Sequence, residues 1–480
     1  MGGDPCHLEG AVIPGPEWTG GRLGGMTGVG EELTSDQKAA LEAVRDWWKN
    51  RRGTQQVFSI GGLAGTGKTW LIPHIARDLG VEVIYAAPTN KAAAVLRSKL
   101  ALGADEVFTH HRLTYTTVPF YKCRYTRRTL KEIPHTCGYK RCPHPLRFEH
   151  PCGPGQEHHT CKAYAVLPTV VRGELLRPAQ LIIQDEASMS SEEEIRDTMT
   201  FGVPILLMGD FGQLPPVSRP VNPWMREENL GARMTRIKRQ ADGSPITTLA
   251  HAVRDRGAKA LTYGQYDESL IANVIPMREE PAGHVLSWLL VPGTFDPGPD
   301  RAVIVPTNRL RAEVNGQYHA GYFVDDPVSP GDRVIALQRN PKKDPAHEVS
   351  AMVGSVQAAR SIRTTPVDVH NGVMGTVVDT EDQGNGAVIL LVREDPPNGR
   401  LLLVNAAVAQ FGEEEPLTPD RYPQSAQLWD YAYAITAHKA QGSEFDDVVV
   451  LGEPYHDYNK WMYTAVTRAK KRVTVVRGRR

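Results

Sequence analysis

The 480-residue sequence has no charge of either sign in excess: 55 Lys+Arg balance 55 Asp+Glu, for a formal net charge of zero. A chain-wide grip on a polyanion is therefore excluded, and any nucleic-acid contact must be built locally. No apolar run reaches the length of a membrane span. The N-terminus lacks the basic start and apolar core of a secretory signal. The expectation is a cytoplasmic protein with no membrane partner. Cysteine is scarce outside one segment, with five of the six between Cys123 and Cys161. That distribution excludes a disulfide framework spread through the chain and, inside a cell, favours a metal.

What is present is an ordinary globular balance, 41% hydrophobic and 23% charged, over a length that implies two or more domains. Two stretches are locally basic: Lys122 through Arg124, Arg127 and Arg128 to Lys131, and Lys470 to Arg480. Residues 1–30, rich in Gly and Pro, read as disordered, with Met26 as an alternative start. Thr34, Ser35 and Asp36 supply cap chemistry for a helix with an apolar face of Leu41, Val44, Trp47 and Trp48. Strands are expected at Val57–Ile60, Val81–Ala86, Leu181–Ile183 and Pro204–Met208, with helices from Gly67 and through Lys91 to Leu100. Such alternation implies a parallel sheet covered on both faces, with ligands beyond the C-terminal strand ends. A second set follows: strands Ala302–Val305, Val448–Leu451 and Val473–Val476, and a helix from Leu310 to Tyr318. Between them, Asp332–Leu337, Gly375–Val378, Ala387–Val392 and Leu401–Val404 read as short strands of a small β-barrel, with a mobile loop at 341–368.

Gly62-Leu63-Ala64-Gly65-Thr66-Gly67-Lys68-Thr69 fits the phosphate-binding loop, after a strand and opening a helix. Backbone N–H groups of such a turn surround phosphate oxygens, Lys68 adds charge near the β and γ phosphates, and the Thr69 hydroxyl can join a Mg²⁺ shell. Asp185 ends an apolar strand, where it can hold Mg²⁺, and Glu186 beside it can accept the proton of an attacking water.

The order of these and later segments resembles the superfamily 1 helicases, most of all the RecD-like and phage Dda-type branch, over residues 33–475. Leu33-Thr34 with Gln37 is similar to the family's adenine-reading segment, and Ala87-Pro88-Thr89-Asn90-Lys91-Ala92 to its first DNA-contacting motif. Asp185-Glu186-Ala187-Ser188-Met189 resembles its acidic motif. Gly209-Asp210-Phe211-Gly212-Gln213-Leu214-Pro215-Pro216-Val217 resembles the coupling motif, in which Gln213 senses the γ-phosphate. Arg239-Gln240, the run Thr436 to Phe445, and Tyr463 to Ala469 resemble the fourth, fifth and sixth motifs. The resemblance implies an α/β fold of two RecA-like P-loop motor domains, a first at 31–114 and 166–235 and a second at 236–325 and 428–480. A Cys/His-rich insert at 115–165 interrupts the first, and an SH3-like β-barrel insert at 326–427 interrupts the second. It implies ATP and Mg²⁺ as cofactors, with Arg239 and Arg468 reaching the γ-phosphate across a cleft and Gly442 and Glu444 near the nucleotide. Pro88, Thr89, Asn90, His110, Thr436, His438 and Lys439 are the implied strand contacts, with His111 a further candidate and Phe120, Tyr121 or Trp461 as base-stacking aromatics. The activity implied is ATP-dependent 5′ to 3′ translocation on single-stranded DNA and unwinding of a fork. The setting would be a bacterial or phage-infected cell, and the partners replication or recombination proteins such as a single-strand-binding protein. An RNA helicase and a zinc-dependent nucleic-acid-binding ATPase switch are the alternatives.

In the related helicases a small hairpin domain interrupts the first motor domain at this place and acts as a wedge. Here the segment is longer, and Cys137, Cys142, Cys152 and Cys161 are its plainest set of four for tetrahedral Zn²⁺, with histidines that could replace one of them or serve a second ion. With few large apolar groups, such an insert would draw its stability from the metal. The expectation is a zinc-braced wedge with a basic face.

Overall fold

The computed structural model describes residues 33–51, 55–103, 106–117, 120–123, 129–130, 147–150, 159–166, 169–216, 222–236, 244–262, 271–276, 295–323, 326–337, 346–362, 364–367, 369–396, 399–418, 421–423, 425–452 and 455–477. Every residue of Leu181–Gln184 and Ile205–Gly209 is buried, which is why these strands run apolar without alternation. They form the centre of a six-stranded sheet in the order Ala232–Met234, Val57–Gly62, Ile205–Gly209, Leu181–Gln184, Val83–Ala87, Val107–Thr109, all parallel. Alternate residues of one strand serve two cores. Val83, Tyr85 and Ala87 pack with Val44 and Trp47, Leu71 and Ile75, and Leu96, from three helices on one face. Ile84 and Ala86 pack with Leu113, Ile195 and Met225 on the other. The helix Ser35–Asn50 begins with a capping box in which Thr34 and Gln37 satisfy each other's N–H groups.

The second lobe repeats the plan. Ala272–Pro276, Ala469–Arg477, Phe445–Gly452, Arg301–Val305 and Ala434–Thr436 form a five-stranded parallel sheet. Val303, Val305, Val449 and Leu451 pack against Leu310, Val314 and Tyr318 of the helix Asn308–Tyr322. Ala302, Ile304, Val448 and Val450 face the other way, toward Val253, Met462 and Ala465. Trp461, a candidate for stacking on bases, is fully buried in this same core and offers no face to a strand. Leu63 and Leu214 of the first lobe belong to that core too, so the lobes share apolar packing.

The insert in the second lobe is a seven-stranded antiparallel sheet in the order Thr365–Val367, Ala346–Val349, Leu401–Ala407, Ala387–Glu394, Met374–Asp382, Arg333–Ala336, Trp429–Tyr431. The four expected strands are present. Among the described residues the two outermost strands of this sheet do not pair with each other. The irregular loop expected at 341–368 is corrected, because that stretch contains the strand Ala346–Val349, the helix Val356–Arg360 and the strand Thr365–Val367. Val349, Val356 and Ala359 bury against Leu391 and Leu401, from elements of three to five residues, too short to leave a periodic signal.

In the first lobe, Tyr115–Thr117 pairs with Thr169–Val171, and beyond that root four antiparallel strands follow in the order Thr129–Leu130, Phe120–Cys123, His159–Val166, Arg147–His150. Cys137, Cys142 and Cys152 lie outside the described residues, as does the N-terminal segment 1–30; Cys161 falls in the strand His159–Val166. No described helix is long and apolar enough to cross a membrane.

Candidate nucleotide site and strand track

The phosphate-binding loop leaves the first sheet at Gly62 and enters the helix Lys68–Leu79. Gly65 and Gly67 take positive φ of 81° and 82°, the left-handed turn that favours glycine. At Gly62 an added Cβ would fall 2.7 Å from Thr66 Oγ1 and 3.0 Å from Lys68 Cγ, so the turn leaves no room for a side chain. Thr66 is fully buried, its hydroxyl donating to the Leu63 carbonyl at 2.9 Å. Lys68 Nζ donates to the carbonyls of Gly62 at 2.8 Å and Leu63 at 3.1 Å, which places its ammonium within the loop.

Gln37, the expected adenine reader, is fully buried beneath that loop. Its Nε2 donates to the Thr66 carbonyl at 3.1 Å and its Oε1 accepts from the Thr34 N–H at 3.0 Å. The structure thus gives it a bracing role, with both ends of the amide engaged inside the protein.

Thr69 Oγ1 donates to Asp185 Oδ2 at 2.8 Å, and Asp185 Oδ1 accepts from the Glu186 N–H at 2.9 Å. A hydroxyl and a carboxylate in contact beside a phosphate loop are the hard oxygen donors that Mg²⁺ takes. Glu186 sits at φ 52°, left-handed without being glycine, a strained conformation of the kind that collects at functional turns. Its Oε2 is buried with no hydrogen-bond partner. Burial first, then the Asp185 charge, push its carboxyl pKa up, while Lys68 and Arg468 pull the other way. Arg468 therefore lies within electrostatic reach of the acidic pair from the opposite lobe. It is buried there, its guanidinium donating to the carbonyls of Thr464 at 3.0 Å and Ser443 at 3.2 Å.

The coupling turn joins the lobes. Asp210 Oδ1 accepts from the Gly212 N–H at 3.0 Å, and its Oδ2 accepts from Gln213 Nε2 at 3.2 Å and from the Tyr463 hydroxyl at 2.9 Å. The same Tyr463 oxygen accepts from the Ala64 N–H of the phosphate loop at 2.9 Å. Burial and the Asp210 charge raise the Tyr463 pKa well above the ordinary phenol value, so it remains a donor. Thr464 Oγ1 accepts from the Leu214 N–H at 2.9 Å and Gln441 Nε2 donates to the Leu214 carbonyl at 3.0 Å. Gln213 Oε1 is buried and unpartnered, which fits a side chain that senses a ligand. Sequence reasoning missed Asp210, Tyr463, Thr464 and Gln441 as functional groups. A tyrosine in an apolar helix reads as core, and only its polar tip distinguishes it.

The strand candidates divide. Pro88, Thr89 and Asn90 are partly exposed where the first lobe's second strand gives way to the helix Asn90–Leu100, which Thr89 caps by accepting from the Ala92 N–H at 3.1 Å. Thr436 ends the strand Ala434–Thr436, with His438 and Lys439 on the turn after it; Thr436 is buried and its Oγ1 caps that turn by accepting from the Lys439 N–H at 3.4 Å. Burial lowers the His438 pKa and takes Lys439 down to about 8. Lys91 is likewise held at about 8 by burial, with its Nζ 3.9 Å from Met374 Sδ and 5.3 Å from the Phe445 ring centre. His110 is a correction: it is buried, one ring nitrogen 2.9 Å from Gln184 Oε1 and the other 3.1 Å from the Glu194 carbonyl, so it braces the first lobe and presents nothing to a strand. Gly442 has φ of 74° and an added Cβ would lie 3.1 Å from Ala92 Cβ, so its lack of a side chain lets the lobes meet beside the strand candidates. Glu444 is partly buried on the turn that follows. Arg239 lies outside the described residues, and nothing is described of the Phe120 and Tyr121 side chains.

A family model described as an AAA domain matches residues 32–271, half of the chain, and one described as a UvrD-like helicase C-terminal domain matches residues 431–476. The chain belongs to the AAA-domain family, in the RecD-like branch of the superfamily 1 helicases. The chain is 27% identical over 453 residues to the ATP-dependent RecD2 DNA helicase of Deinococcus radiodurans, covering 92% of this chain and 48% of that protein. The chain therefore spans about half the length of that relative. Solved structures similar to it include one of two coordinating Pif1 helicases at forked duplex DNA, at 16% identity and a TM-score of 0.47, over 93% of this chain and 92% of that one. Another is Pif1 helicase from Bacteroides with ADP-AlF3 and single-stranded DNA, at 16% identity and a TM-score of 0.45, with the same coverage.

Proposed function

We propose that the chain is an ATP-dependent DNA helicase that moves 5′ to 3′ along single-stranded DNA and opens the duplex ahead of it. One observation carries this reading: Tyr463, on the second lobe, bonds the phosphate loop at Ala64 and the coupling turn at Asp210 with one hydroxyl. A device that only bound nucleic acid would have no use for a second-lobe side chain wired to a nucleotide loop.

The residues divide the chemistry between the lobes. Backbone N–H groups of Gly65 to Thr69 and the Lys68 ammonium bind the triphosphate. Thr69 and Asp185 would hold the accompanying Mg²⁺, which supplies charge neutralisation at the phosphates. Glu186 takes the proton of the attacking water. Arg468, and Arg239 by family resemblance, neutralise charge as the γ-phosphoryl departs, a contribution of about 10³–10⁵ in rate where such a cation acts. An arginine that stabilises ATP from the far lobe favours closure, and hydrolysis removes that preference. Thr89, Asn90, Lys91 and Lys439 hold phosphates of the strand without reading sequence.

Strand displacement from 5′-tailed and 3′-tailed duplexes tests the proposal. Unwinding of the 5′-tailed substrate alone supports it, and unwinding of the 3′-tailed substrate alone reverses the polarity. Stimulation of ATP turnover by DNA but not by RNA oligonucleotides separates this reading from an RNA helicase. The Cys/His density of residues 123–161 favours, in addition, a zinc-braced wedge. Metal analysis of the purified protein and unwinding by a Cys137→Ser/Cys142→Ser variant check it. Zinc in the wild type, and loss of unwinding with strand-stimulated ATPase retained, are the expected results.

A further inference from the structure

The helix Asn90–Leu100 carries strand candidates at its start, and its last turns lie beside the sheet's outermost strand, Val107–Thr109. There Arg97 lies within electrostatic reach of Arg112, which Arg172 bonds in turn. Arg112 stands on the short helix His110–Thr114, its guanidinium 5.3 Å from the Phe108 ring centre. Arg172 follows the strand Thr169–Val171, and its Nε donates to the Arg112 carbonyl at 3.2 Å while its backbone N–H donates to the Thr114 carbonyl at 2.8 Å. Arg97 Nε is buried with no hydrogen-bond partner. Burial first, and then repulsion from Arg112, hold the Arg97 guanidinium below its ordinary pKa.

Among the described residues, none of these three arginines forms an ion pair, whereas Arg45, Arg177, Arg196 and Arg233 of the same lobe each face a carboxylate. Asp197 accepts from the Tyr115 hydroxyl at 2.7 Å and Glu106 from the Gly103 N–H at 2.8 Å, and neither pairs with these arginines. Like charges gathered without a counter-ion cost free energy in the protein alone, and a polyanion relieves that cost. Guanidinium groups present forked donors that match phosphate oxygens.

We propose that Arg97, Arg112 and Arg172 cradle the phosphate backbone of the duplex arm of a DNA fork. The inference rests on the motor reading and extends it. The cluster lies at the root of the insert, where Tyr115–Thr117 pairs with Thr169–Val171. It is one helix away from the strand track: Arg97 is seven residues beyond Asn90, about 10 Å along the axis. A strand held at the helix start and a duplex held at its far flank would place the fork junction beneath the insert.

The test compares wild type with an Arg97→Ala/Arg112→Ala/Arg172→Ala variant on a 5′-tailed duplex and on the same tail alone, across a salt series, with tail-stimulated ATPase as the control. All three positions are outside the nucleotide site and the strand track. The wild type is expected to prefer the fork, and the variant to lose about tenfold on the fork, with a salt slope shallower by about three, while tail affinity and ATPase are unchanged. The corresponding triple Lys variant should keep the slope, because charge is retained. A variant that keeps full fork preference, or that loses tail and fork alike, overturns the inference. So does a wild type that shows tail-stimulated ATPase without fork preference, and that result leaves the motor reading intact. A wild type with no tail-stimulated ATPase defeats the motor reading and this inference together.

Discussion

The two lobes share a sheet plan and differ in what their strand ends carry. In the first, the groups that grip a nucleotide are already hydrogen-bonded into one frame: Lys68 to its own loop, Thr69 to Asp185, Gln37 under Thr66. In the second, Tyr463, Thr464 and Gln441 reach out to the other lobe, and Arg468 is bonded to its own backbone within reach of Glu186. On the proposed function, the difference divides binding and sensing between the lobes. It also locates stability differently, because a buried ion pair ties the second lobe to its insert and a part-buried one braces the insert sheet. Arg311 bonds Asp430 with both side chains almost fully buried, and Arg333 holds Asp395 through two hydrogen bonds of 2.7 and 2.5 Å.

Changes that break this division should scale with the lobe they strike. Lys68→Ala is expected to lower ATP turnover by about three orders of magnitude or more and to abolish unwinding while single-strand binding persists, because charge at the phosphates is lost and the strand track is not touched. Steady-state ATPase with a binding titration checks it. Arg311→Ala leaves Asp430 charged and buried, and should destabilise the second lobe by about 3–5 kcal/mol, read by denaturant unfolding. Nucleotide binding to the first lobe should outlast the melting of the second.

Titration sharpens the comparison. The Glu186 pKa is raised, so the carboxylate needed as a base is lost on acidification at a higher pH than for an ordinary carboxyl. ATP turnover should therefore fall on an acid limb lying above the usual carboxylate range, and a pH–rate profile with its midpoint at an ordinary carboxyl value would count against Glu186 as the base. Lys91 and Lys439 lose charge as pH rises through about 8. Strand affinity should weaken several-fold between pH 7 and 9, and substituting both by arginine, which stays protonated, should flatten that dependence.

How much of this was legible in the sequence depended on burial. The central strands of both parallel sheets were readable because both faces are covered, so Leu206, Leu207 and Met208 stand in an unbroken apolar run. The edge strands Val107–Thr109 and Ala232–Met234 have three residues each, too few for any period. The antiparallel insert was found in part, since Ala346–Val349 and Val356–Arg360 are amphipathic only over four or five residues. The nucleotide loop and acidic pair were legible because their chemistry demands contiguous residues. His110 was misplaced because a motif fixes a residue's position along the chain and leaves the direction of its side chain to the packing. Tyr463 was missed for the same reason: its ring is core and its hydroxyl is the connection between lobes.

The most direct test of that connection is the strand-stimulated ATPase of Tyr463→Phe, which keeps the ring and removes the hydroxyl shared by Ala64 and Asp210. The KM for ATP should stay within about threefold of wild type, because the first lobe still binds, while strand-stimulated kcat falls by about tenfold or more, because sensing is lost. Equal kcat and KM in the variant and the wild type would contradict the division of binding and sensing between the lobes.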